Sequence, residues 1–135
     1  MTMDPFDFQH SPYMRFLGLE LEKSEKGRVE LRLPFRNEFL RHDDSDWLHG
    51  GVVSALIDIA GDYAVITETG VGVPTIDMRV DYLRPARRGD LLATARTLRV
   101  GRTVSVADVE VRDSQGTLVA VGRAVYASAR QEASR

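Results

Sequence analysis

From Gly50 to Thr67 the chain carries one helical pattern that is apolar round most of its circumference, and the rest of its 135 residues must be arranged to cover it. Val52, Leu56, Ile59, Tyr63 and Ile66 recur at helical spacing, and Val53, Ile57, Ala60 and Ala64 fill a second row beside them. So wide an apolar surface predicts a helix wrapped by other structure. The exception is a narrow stripe: Ser54, Asp58 and Asp62 fall at i, i+4 and i+8, stacking a hydroxyl and two carboxylates along one line. Trp47-Leu48-His49-Gly50-Gly51 leads into the helix, so unpaired backbone N–H groups at Gly50 and Gly51 are open to an oxygen, with the positive end of the macrodipole behind them. Gly70, Gly72 and Pro74 end it.

The flanking segments supply the cover. Ser11 as cap, Pro12 at the first position and Gly18 as stop predict a short helix within an N-terminal segment, residues 1–18. Leu19 and Leu21, then Val29, Leu31 and Leu33, alternate with charged residues on either side of Ser24-Glu25-Lys26-Gly27, which predicts a hairpin with one face on the core. After the central helix the period switches from 3.6 to 2. Thr75–Tyr82, Leu91–Val100, Thr103–Arg112 and Thr117–Ala127 read as four strands, and the change of apolar phase between Val104/Val106 and Ala107/Val109/Val111 predicts a bulge near Val106. Residues 128–135 are expected to fray. One α+β domain over 1–135 follows, a long helix wrapped by a single antiparallel sheet.

Charge and composition narrow the function. A net charge of −2 argues against general nucleic-acid binding, and the apolar run of the central helix is broken by Ser54, Asp58 and Asp62, so no membrane span is expected. The acidic, aromatic N-terminus lacks the basic segment of a secretory signal, which makes the cytoplasm the expected location. With no Cys there is no thiol nucleophile and no zinc-thiolate site. His42 and His49, seven apart in a loop, lack the spacing of a metal site.

His49-Gly50-Gly51 opening a buried helix, Asp58 two turns in, and Thr75-Ile76-Asp77-Met78 leading to Tyr82-Leu83-Arg84-Pro85 together resemble the hot-dog-fold acyl-CoA thioesterases, most closely their phenylacetate-degradation-like branch. The resemblance spans roughly Leu19 to Ala127. It implies hydrolysis of an acyl-CoA or aryl-CoA thioester, with the Gly50 N–H donating to the thioester oxygen and Asp58 acting as nucleophile or general base. Thr75 would place the water or carboxylate, His49 would orient the opening turn, and Gly51 would contact substrate. It also implies a homodimer, and a dimer of dimers, with coenzyme A bound only as part of the substrate and no cofactor of the enzyme's own. Where the family often carries Asn six residues before the His, this chain has Asp43, in an acidic run.

The chemistry sets a geometric condition. Thioester hydrolysis needs an attacking group and a donor for the charge that develops on the carbonyl oxygen. At about 1.5 Å per residue, Gly50 and Asp58 are roughly 12 Å apart along one helix, so they cannot both touch one carbonyl. Two antiparallel copies of the helix would bring Gly50 of one chain to Asp58 of the other. Asp62, the other carboxylate on the stripe, reads as structural or solvent-facing. Arg84, Arg87 and Arg88, with Arg102 on the next hairpin, could capture the phosphates of coenzyme A, or could equally be a solvated loop. A non-catalytic acyl-CoA- or small-ligand-binding protein on the same scaffold is the competing class.

Overall fold

A computed structural model describes residues 4–129. Its central element is α2, Gly50–Thr69, which starts where the glycines predict and stops at Gly70 in the left-handed conformation (φ 78°). The short helix α1, Pro12–Leu17, is capped by the Ser11 hydroxyl on the Met14 N–H and closed by Gly18 at φ 72°. Both sets of stop and start residues act as their chemistry dictates.

Six strands form one antiparallel sheet: β1 Glu20–Glu25, β2 Arg28–Leu33, β3 Thr75–Tyr82, β4 Leu91–Val100, β5 Val104–Arg112 and β6 Leu118–Ala127. Their spatial order is β1-β2-β4-β5-β6-β3. The helix lies across the face made by Val29, Leu31 and Leu33 of β2, Leu91, Ala93 and Ala95 of β4, and Val109 and Val111 of β5, all essentially inaccessible to solvent. Small residues let it approach closely: a Cβ on Gly122 of β6 would lie 2.6 Å from Ile57 Cγ2. The sheet curls round the helix, and β3, last in spatial order, closes beside the polar stripe of α2.

Four expectations are corrected. β1 is exposed along its length, including Leu21; it is an edge strand with a register shift between Leu21 and Lys23, and only Leu19, just before it, is buried. The bulge near Val106 belongs instead to β4: Thr97 and Arg99 face the adjacent residues Ala107 and Val106, which leaves Leu98 as the extra residue. β5 therefore keeps one buried phase, Ser105, Ala107, Val109 and Val111, and Val104 and Val106 lie on the other face. Finally, α2 is long and apolar enough, by length and composition alone, to cross a membrane, and here its apolar sides pack on the sheet. Ser128, expected to fray, is held by its N–H on Thr103 O and its hydroxyl on Gly101 O; 130–135 lie outside the described residues.

Candidate active site

The opening turn of α2 is built by its neighbours. Leu48 N–H donates to Ala86 O at 2.7 Å and His49 N–H to Phe39 O at 2.8 Å, so the approach is fixed from both sides. His49 is the N-cap, and its Nδ1 accepts from the Gly51 N–H at 2.9 Å, which places the ring proton of the neutral imidazole on Nε2. The Gly51 N–H, expected to face substrate, is therefore consumed by the cap. The Gly50 N–H has no partner among the described residues, and Gly50 is exposed. Tyr82, from the end of β3, donates its hydroxyl to Gly50 O at 2.8 Å and fixes that peptide from the far side. Gly50 opens into a cleft of about 330 Å³ lined by Arg41, Trp47, Tyr82, Leu83 and Arg84 among others.

Two turns on, Asp58 is half-buried, and Thr75 at the start of β3 donates its hydroxyl to Asp58 Oδ1 at 2.7 Å. Beneath it, Tyr126 of β6 donates to the Asp58 backbone carbonyl at 2.7 Å. That contact passes over Gly61, where a Cβ would lie 2.4 Å from the Tyr126 oxygen. Burial, with the Asp58 and Asp62 carboxylates nearby, drives the Tyr126 phenol well above its ordinary range, so it stays a donor. Asp62, one turn further, is half-buried rather than solvent-facing. Its Oδ1 accepts from the Val73 N–H at 3.4 Å, and burial, reinforced by the Asp58 charge and opposed by that bond, pushes its carboxyl up to about 7. No three His, Asp or Glu side chains converge as a metal site among the described residues.

The arginines divide. Arg84 lines the cleft, with one guanidinium nitrogen on Leu118 O. Arg87 packs over the Trp47 indole, 5.5 Å from its centroid. Arg88 is spent on loop structure, its Nε donating to Ser45 O at 3.1 Å. Arg102 sits in the β4–β5 turn, at the end of the sheet where Thr75 pairs with Tyr126, one strand length or about 30 Å from Arg84. One chain thus does not gather the four into a single patch, and Arg41 takes the place beside Arg84.

Sequence reading missed Arg41 and Tyr126, and it named Tyr82 only within the family motif, without a role. The signal for Tyr126 was Gly61: glycine inside an apolar helix costs about 1 kcal/mol relative to alanine, which points to a close approach at that position.

A buried helix wrapped by one antiparallel sheet, with an open N–H at its first turn and a hydroxyl-braced carboxylate two turns on, defines a hot-dog-fold thioester hydrolase. The chain belongs to the thioesterase superfamily, which it matches over residues 47–120. It is 40% identical over 124 residues to a relative from Halobacterium salinarum that bears an esterase name, covering 84% of this chain and 82% of that one. The medium/long-chain acyl-CoA thioesterase YigI of Escherichia coli is 33% identical over 132 residues, covering 87% and 85%. Among solved structures, zebrafish thioesterase superfamily member 2 superimposes with a TM-score of 0.78 at 29% identity, covering 89% of each chain. The Escherichia coli PaaI protein, from the phenylacetic acid degradation operon, gives 0.81 at 25% identity, covering 89% and 86%.

Proposed function

We propose that the chain hydrolyses acyl-CoA thioesters as a homodimer, with each active site assembled from two subunits. The observation that carries this reading is the 2.7 Å bond from Thr75 to Asp58, with an open Gly50 N–H on the same helix at a distance of roughly 12 Å. The first arrangement fixes one carboxylate oxygen and leaves the other for chemistry, and the second supplies a donor for an oxyanion. They serve one carbonyl only across a two-fold axis. The free edge of β3 supports such an axis: Ile76 and Tyr82 are more than half exposed beside the polar stripe, with Leu83 close behind at 48%.

In this mechanism the thioester oxygen accepts from the Gly50 N–H, and Asp58 of the other subunit attacks the carbonyl carbon or draws a proton from an attacking water. The tetrahedral intermediate breaks its C–S bond and expels the coenzyme A thiolate, and in the first case water then hydrolyses the acyl-Asp58 anhydride to the free acid. His49 holds the opening turn, and Thr75 holds the carboxylate. The acyl-CoA assignment draws on the activity for which YigI is named and on the Arg41 and Arg84 guanidinium groups at the cleft.

The test is complementation. Asp58→Asn and Gly50→Pro, the latter removing an N–H at a helix position that tolerates proline, should each lower turnover about a hundredfold or more. Refolded together, half the dimers are mixed and each mixed dimer has one intact site of two, so about a quarter of wild-type activity should return. No recovery in verified heterodimers would overturn the two-chain site, and near wild-type turnover by Asp58→Asn alone would overturn its role.

A further inference from the structure

We infer that Asp62 is a positioning residue of this site, anchoring the connection from α2 to β3 so that Thr75 meets Asp58. The inference rests on the reading of Asp58 and Thr75 given above. The connection contains Gly70, Val71 and Gly72, exposed residues held by the Gly70 N–H on Ile66 O at 2.8 Å and by hydroxyl bonds between Thr69 and Val71. It is fixed at two further points. On the sheet side, Ala127 N–H donates to Pro74 O at 2.8 Å. On the helix side, Val73 donates to Asp62 Oδ1 and buries its side chain against Val65 and Tyr126. Thr75 follows two residues later, in register with Tyr126, whose hydroxyl holds the carbonyl of Asp58. A loosened Val73 would therefore move the Thr75 hydroxyl relative to the carboxylate it braces.

Packing alone would be served by a neutral residue at 62. A carboxyl in that half-buried place is penalised when charged, and it titrates about neutral pH, where its ionisation changes two things. The carboxylate accepts more strongly from Val73, and it sets a second negative charge one helical turn from Asp58. The groups that face Asp62 are Asp58 and Tyr63 of its own helix, the Val73 amide of the connection, and Tyr126 of β6. Both tyrosines stay neutral here, their phenols raised by burial. Turnover should therefore increase as pH rises through about 7.

The experiment measures kcat and KM of wild type, Asp62→Asn and Asp62→Ala from pH 5.5 to 8.5 on one acyl-CoA, with Asp58→Asn alongside. Asp62→Ala removes the acceptor and should lower kcat about tenfold while KM stays within about twofold. Asp62→Asn keeps an oxygen for Val73; it should recover most of that loss and abolish the wild-type inflection near 7. His49 is common to all of these proteins, so a difference between their profiles belongs to Asp62. If the alanine variant does not fold, the profile of Asp62→Asn decides. An asparagine variant that keeps the wild-type inflection, or an alanine variant with wild-type kcat, would overturn the inference while an inactive Asp58→Asn left the site itself standing. Activity in Asp58→Asn would instead overturn the reading on which it depends.

Discussion

Replacing Gly61 by alanine should destabilise the protein, against the helix propensity of the two residues. In an unobstructed helix interior the change gains about 0.5–1 kcal/mol. Here the new Cβ would stand 2.4 Å from the Tyr126 oxygen, 3.2 Å from Cζ and 3.4 Å from Cε2, and Tyr126 is fully buried, so its ring has no free space to swing into. Overpacking of a close-packed core costs about 1–3 kcal/mol, and pushing the phenol off the Asp58 carbonyl forfeits about 1 kcal/mol more. The net expectation is a loss of about 1–3 kcal/mol. Urea unfolding at a fixed protein concentration measures it as a lower midpoint at unchanged slope. Tyr126→Phe provides the second leg: it removes the obstructing oxygen, so the double variant Gly61→Ala/Tyr126→Phe should be more stable than Gly61→Ala alone. Additive effects of the two changes, or a Gly61→Ala protein as stable as wild type, would refute the argument that this glycine exists to admit the tyrosine.

Two further outcomes are expected. Because the folded-state pKa of Asp62 is raised from 3.8 to about 7, the folded protein holds that proton longer than the unfolded chain; the ionisation cost is absent below about pH 4, grows to about pH 7 and is present in full above it. Asp62→Asn avoids that cost, so its gain in Tm over wild type should be larger at pH 8 than at pH 5, and a gain that is constant or reversed between the two would contradict the burial of this carboxyl. For the cleft, Arg41→Ala/Arg84→Ala should raise KM for acyl-CoA about tenfold at low ionic strength, with kcat nearly constant and the effect shrinking as salt is added. An acyl-N-acetylcysteamine, which lacks the nucleotide, should be handled like wild type, and equal damage to both substrates would assign these arginines to the fold instead.

The helix and the succession of strands along the chain were legible because they rest on local patterns. Thirteen-atom hydrogen-bonded rings and alternating side chains leave their periods in the sequence, and Ser11, Gly18, His49 and Gly70 mark element ends by backbone chemistry that needs no distant partner. The errors came where one strand depends on another. The phase change read in Val104 and Val106 is real in the sequence, but the extra residue lies in β4, which no pattern internal to β5 could reveal. Leu21 alternates as a core residue would, yet on the edge strand, beside a register shift, it is exposed. The same distinction holds in the site. Asp58 stood out on the polar stripe of an apolar helix and Thr75 came only through the family resemblance, whereas Tyr126 and Arg41 reach α2 and its cleft only through folding, from positions 68 residues beyond Asp58 and in an irregular loop.

The arginines carry this argument one step further. A run such as Arg84-Pro85-Ala86-Arg87-Arg88 looks like a single basic patch when it is read as a string, and a phosphate-binding role is then assigned to every member. Folded, the three side chains diverge: one lines the cleft, one stacks on Trp47 and one ties the loop at Ser45. All three already have a protein partner, Arg84 on Leu118 O included, and so does Arg41, over the Trp47 ring at 5.8 Å, so position decides: of these, only Arg84 and Arg41 line the cleft. Substrate contacts should therefore concentrate in Arg84 and Arg41, and Arg88 should register as stability. Arg88→Ala is accordingly expected to lower the unfolding midpoint while leaving KM for acyl-CoA close to wild type, the reverse of the pattern for the cleft pair.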